Sequence, residues 1–144
     1  MVLSRRKGLK GRRGTSAVEA AVVYPVTILL LIGTVVLGLG VFRYQQVQCL
    51  AREGARYASV HGPQYAADSQ KPYATSQDVL DYITHNLAVG LQTNDLSCTV
   101  TWSPNPPTTS TPSTVSVYLT YTWNPEAYFT SMTVSATSVM PVTY

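Results

Sequence analysis

Residues 20–42, AAVVYPVTILLLIGTVVLGLGVF, lie between Glu19 and Arg43 without one charged side chain, and their reading decides the fold. As a helix the 23 residues extend about 34 Å at ~1.5 Å per residue, which matches a hydrocarbon core of ~30 Å. A soluble protein would have to enclose such a helix on every side. The roughly 100 residues that follow, rich in Ser, Thr and Pro, are too few for that. The run is therefore read as a membrane span, with lipid as its surroundings.

Charge orients the span. Of the ten Lys and Arg, six precede residue 14 (Arg5, Arg6, Lys7, Lys10, Arg12, Arg13), and no acid accompanies them. Arg43, Arg52, Glu53 and Arg56 leave only a small positive excess after the span, so the N-terminus is expected in the cytoplasm and the C-terminal part on the outer side of the cell membrane. Without the leader, four Lys and Arg stand against seven Asp and Glu, and this slightly acidic body has no basic surface for nucleic acid. The small-residue cleavage site that would end a secretory or twin-arginine signal is missing, and Val47-Gln48 before Cys49 does not suit a lipoprotein.

The helical pattern continues past the span through Val47, Leu50, Ala51, Gly54 and Ala58, which predicts one helix over 15–60, ended by His61-Gly62-Pro63. Pro25 inside it lacks a backbone donor and predicts a bend. Residues 62–75 read as a loop. Thr75-Ser76-Gln77-Asp78 has the form of a capping box opening a short amphipathic helix up to Gly90, with Val79, Leu80, Ile83 and Leu87 on one stripe. The period then switches to two. Leu96, Cys98, Val100 and Trp102 alternate with polar residues, as do Val115, Val117, Leu119, Tyr121 and Trp123, and then Met132, Val134 and Ala136. The fold expected is α+β: a long transmembrane helix followed by a small domain, 62–144, with one short helix and an antiparallel sheet of three or four strands packed on the long helix. Residues 103–114, SPNPPTTSTPST, carry four prolines and read as a loop outside the core.

The sequence carries no phosphate-cradling glycine motif and no Cys or His spacing suited to zinc, and its only histidines are His61 and His85. No enzyme, cofactor or metal is expected. Cys49 and Cys98 both fall on the outer side, where disulfides persist. A bridge across the 48 intervening residues would tie the long helix to the first strand, and two separate thiols are the alternative.

The remaining constellation is Arg12-Arg13-Gly14-Thr15-Ser16-Ala17-Val18-Glu19, where a basic leader ends at a glycine and one carboxylate enters the apolar run five residues later. A charge at mid-bilayer costs roughly 2.5–3.5 kcal/mol and less near the edge, so Glu19 asks for a partner. Cleavage after Gly14 would supply one, because a new α-amino group on Thr15 titrates near ~7.7–8.0 and is largely protonated at neutral pH. The plainer reading has Ser16 and Glu19 forming a helix cap.

The stretch 12–61, RRGTSAVEAAVVYPVTILLLIGTVVLGLGVFRYQQVQCLAREGARYASVH, resembles the TadE-like minor pilins of the tight-adherence (Flp) pilus systems. The resemblance implies removal of a basic leader, residues 1–14, by a prepilin peptidase. Gly14 would precede the cut, Thr15 would become the mature N-terminus and Glu19 would be the assembly glutamate. Pro25 matches a proline common in that family's helix, and the segment Arg52, Gly54, Ala55, Arg56, Tyr57 resembles its exit from the membrane. Two departures stand out: Ala20 replaces the aromatic that often follows the glutamate, and Leu39-Gly40-Val41 replaces an acid near the end of the span. The resemblance implies a single-pass membrane protein whose partners are the peptidase, other pilins, pilus assembly-platform proteins and membrane lipid. The competing expectation is an unprocessed signal anchor whose outer domain binds envelope or secretion components.

Overall fold

The computed structural model describes residues 12–108, 113–125 and 130–143, and the side chains of Arg12, Arg13 and Thr15 are not among what it describes. Helix α1 runs from Arg12 to Val60, α2 from Pro63 to Ser69 and α3 from Ser76 to Asn86. A 3-10 turn at Thr93–Asp95 leads into β1 (Leu96–Ser103), β2 (Thr114–Trp123) and β3 (Met132–Pro141). The chain is α+β, and among the described residues the sheet is a three-stranded antiparallel meander in the order β1-β2-β3. Register pairs Leu96 with Tyr121 and Trp102 with Val115 across the first ladder, and Trp123 with Met132 and Leu119 with Ala136 across the second.

Two compact units divide at Leu39/Gly40. From Ala20 to Leu39, α1 carries no charge on any side and is covered on none: Leu29 is 74% and Leu30 65% exposed. Pro25 lies inside α1 and does not end it. Thr27 and Thr34 spend their hydroxyls on the carbonyls of Val23 and Leu30, four residues back, so neither offers the surroundings an unpaired donor. A helix with this composition and exposure, the one of its kind among the described residues, is compatible with a single-pass membrane protein.

From Gly40 onward the chain has an ordinary core. The rest of α1 contributes Val47, Leu50, Ala51, Ala55 and Ala58, α3 contributes Val79 and Ile83, and the sheet contributes Leu96, Trp102, Val115, Val117, Leu119, Tyr121 and Ala136. The small residues on α1 let α3 approach closely. A Cβ at Gly54 would stand 2.8 Å from Ile83 Cδ1, 3.1 Å from Val79 Cγ1 and 3.5 Å from Val117 Cγ1. Gly40 likewise faces the Trp123 ring, 3.3 Å from where its Cβ would be. Gly40 to Gly54 spans ~21 Å of helix and Trp123 to Val117 spans ~20 Å of strand, so β2 runs antiparallel along α1. Past β3, Thr143 N–H donates to Ser59 O at 3.0 Å.

The capping box at Thr75 forms. Asp78 N–H donates to Thr75 Oγ1 at 3.3 Å, and Thr75 N–H donates to Asp78 Oδ2 at 2.9 Å. Ser76 Oγ accepts from Val100 N–H at 2.9 Å, which gives a donor of the first strand a partner outside the sheet. The helix stops at Asn86, short of Gly90, and the Leu87 and Ala88 N–H groups close on Ile83 O.

Two sequence expectations need correction. Residues 62–75 are not loop throughout, because Pro63, which cannot continue α1, is suited to the first turn of a new helix and opens α2. The 103–114 segment is also not wholly outside the core. Pro107 and Ser113 are buried, Ser113 Oγ donating to Thr108 O at 3.2 Å. A proline ring is apolar and has no N–H to satisfy, so its burial carries little polar cost. The middle of that segment, 109–112, lies outside the described residues.

Candidate functional site

Residues 1–11, most of the expected leader, lie outside the described residues. Arg12, Arg13, Gly14 and Thr15 are the first residues of α1 that the structure describes. Gly14 is exposed, with open space where a Cβ would be. Glu19 is exposed on the surface of α1, just over one turn beyond Thr15 along the axis. Residues 12–15 are already helical ahead of Ser16 and Glu19. The capping role for Ser16 and Glu19 is therefore corrected: both are inside the helix, and a carboxylate there no longer meets the free donors of the N-terminus. Gly14, Thr15 and Glu19 thus share one helix end, and Glu19 faces outward from it.

The two cysteines are free thiols on opposite kinds of surface. Cys49 falls on the exposed stripe of α1 with Gln45, Arg52 and Arg56, while the core-facing stripe is Val47, Leu50, Ala51 and Gly54. Cys98 lies on the inner face of β1 with Leu96, Val100 and Trp102, and burial pushes its thiol up to about 11. The bridge considered between them is not formed in this arrangement, because one side chain faces the core and the other faces away from it. Among the described residues no three His, Cys, Asp or Glu side chains converge on a metal-sized site.

An aromatic cluster escaped the sequence reading. Tyr57 stacks on Tyr82 of α3 at 4.3 Å between ring centroids and on His61 at 4.1 Å, and Tyr65 of α2 meets His61 edge-on at 4.6 Å. His61 Nδ1 lies 2.9 Å from Tyr57 O, and since a carbonyl only accepts, that nitrogen carries a proton. The cluster, with Lys71 and Asp78, borders a cavity of about 290 Å³. Desolvation, then the nearby Asp78 charge, raises the Tyr57 pKa, so its hydroxyl stays protonated. Asp78 is held below the usual carboxylate range by its two hydrogen bonds with Thr75. The four-residue spacing of Tyr57, His61 and Tyr65 was visible, but Gly62-Pro63 interrupts it and hid the alignment.

Together these features define a small α+β unit preceded by a helix long and apolar enough to cross a membrane, the one such helix among the described residues. Residues 14–56 match the family model described as TadE-like protein, so over that stretch the chain is similar to that family. The match starts at Gly14 and ends at Arg56, within α1. No curated protein and no solved structure matches the chain.

Proposed function

We propose that this chain is a minor pilin of a tight-adherence pilus or a related secretion apparatus, and that it acts by assembly rather than catalysis. A prepilin peptidase cuts between Gly14 and Thr15 and removes the cationic leader. The mature helix stays in the cell membrane with its N-terminus on the cytoplasmic side and the C-terminal unit outside. The Thr15 ammonium of one subunit then pairs with Glu19 of a neighbouring pilin, a charge-assisted contact that strengthens as the low-dielectric helix bundle closes around it. Other pilins and assembly-platform proteins are the partners, and lipid surrounds the apolar helix before assembly.

The observation that supports this reading most is the coincidence of three features at one helix end. The TadE-like match begins at Gly14, the peptide bond after it lies within α1, and Glu19 stands exposed inside the same helix. The competing reading, an uncut signal anchor, relied on Glu19 as a cap. Glu19→Ala tests the proposal with leader processing intact. The variant is expected to co-purify with partner pilins at least tenfold less than the parent chain, a factor of about 1.4 kcal/mol, while thermal unfolding of the C-terminal unit is unchanged. Undiminished co-purification would overturn the assembly role.

A further inference from the structure

Where the uncharged run of α1 ends, the C-terminal unit presents an apolar edge of its own. Trp123, the last residue of β2, is half-buried and lies against Gly40. Its strand partner Met132 is 54% exposed. The turn after α3 exposes Leu87 and leaves Val89 82% exposed, and residues 87–93, LAVGLQT, carry no charge. Gly90 of that turn approaches the Arg43 guanidinium, since a Cβ there would stand 3.9 Å from Nη1. Arg43 Nη1 also donates to Gln46 Oε1 at 2.9 Å, which holds the first charge after the span close to the α1 surface.

We propose that this edge, formed by Trp123, Met132 and the 87–91 turn, docks on the lipid bilayer where α1 leaves it, with Arg43 meeting the lipid phosphates. The inference rests on the reading that α1 crosses a bilayer. Gly40 precedes Arg43 by three residues, so the Trp123 ring lies ~4.5 Å to the span side of the Arg43 Cα along the helix axis. That depth is the interfacial belt, where tryptophan with its apolar body and single N–H donor is enriched. An 82% exposed valine in an uncharged turn beside the same arginine has the same explanation. Continuity with the span selects lipid as the occupant over a protein partner: any partner on this edge would have to displace the headgroups that surround residues 40–43. The consequence is a C-terminal unit pinned against the membrane until the chain enters a filament.

The test uses the full chain reconstituted in vesicles of phosphatidylcholine and phosphatidylglycerol. The chain has two tryptophans, so Trp102→Phe leaves Trp123 as the sole emitter, and Trp123→Phe leaves the buried Trp102 as reference. Acyl chains brominated near the headgroup are expected to quench the Trp123 emission at least twofold more than that of Trp102, while aqueous iodide quenches it little. Because Trp102→Phe alters the core, Val89→Cys in a Cys49→Ser background, carrying an environment-sensitive dye, provides a second probe. The dye is expected to shift to the blue in vesicles and to be quenched by the same lipids. Efficient iodide quenching without bromolipid quenching would overturn the docking, as would protection from both, the sign of a protein copy covering the edge. Extraction of the chain by alkaline carbonate would instead overturn the membrane-spanning reading beneath it.

Discussion

At Gly54 side chains of α3 and β2 press against α1, and substituting it measures how tightly the C-terminal unit is packed. In Gly54→Ala the new methyl would meet Ile83 Cδ1 at 2.8 Å and Val79 Cγ1 at 3.1 Å, both on fully buried side chains. Overpacking of this kind costs about 1–3 kcal/mol. Alanine recovers about 1 kcal/mol over glycine in a helix interior, so the net loss is on the order of 1 kcal/mol. For a unit of this size that lowers the thermal midpoint by roughly 4–8 °C. Ile83→Val removes the atom that clashes and by itself costs about 0.5–1.5 kcal/mol. Combined, the two changes should be less harmful than their sum, with a coupling of about 1 kcal/mol. Thermal melts of the four proteins in the same detergent, followed by near-ultraviolet circular dichroism, complete the cycle. Gly33→Ala, where nothing lies within 4 Å of the added methyl, is the control. A more stable Gly54→Ala protein, or strict additivity with Ile83→Val, would refute the close approach of α1 and α3.

Asp78→Asn should destabilise the unit by about 1 kcal/mol near neutral pH, the usual worth of a helix cap. Because the folded Asp78 pKa is lowered by its Thr75 hydrogen bonds, its contribution is full above the unfolded carboxylate value and is lost as pH falls through the folded value. The stability difference between the two proteins should therefore shrink below about pH 4, and a constant difference would contradict the cap. Cys49 is exposed and should be alkylated within minutes without reductant, whereas Cys98, with its thiol raised to about 11, should react only after unfolding. Resistance of both thiols until reductant is added would instead reveal a disulfide.

Local signals account for much of the architecture. The uncharged run, the stop at His61-Gly62-Pro63, the capping box at Thr75 and the period-two strands each depend on neighbours within a few residues, and each appears where the pattern placed it. What escaped the sequence depends on residues distant in the chain. The Trp123 approach to Gly40 and the Tyr82 stack on Tyr57 join different elements, and no periodicity within one element encodes them. Pro63 carries two meanings, terminator of one helix and first residue of the next, and only the first was read. Cys49 and Cys98 share a compartment, but pairing requires facing directions, which a helix face and a strand face set independently. At the helix N-terminus the spacing of Gly14, Thr15 and Glu19 was legible. The rejection of Glu19 as a cap was not, because it depends on residues 12–15 being helical, upstream of the apolar pattern.

The most direct test of the whole account is the mass of the chain recovered from the membranes of its own host. Intact-protein mass spectrometry is expected to find a polypeptide that begins at Thr15, and Gly14→Ala should leave the leader in place. A wild-type chain that still carries residues 1–14 beside an active prepilin peptidase would contradict the proposed processing and, with it, the Thr15–Glu19 pairing.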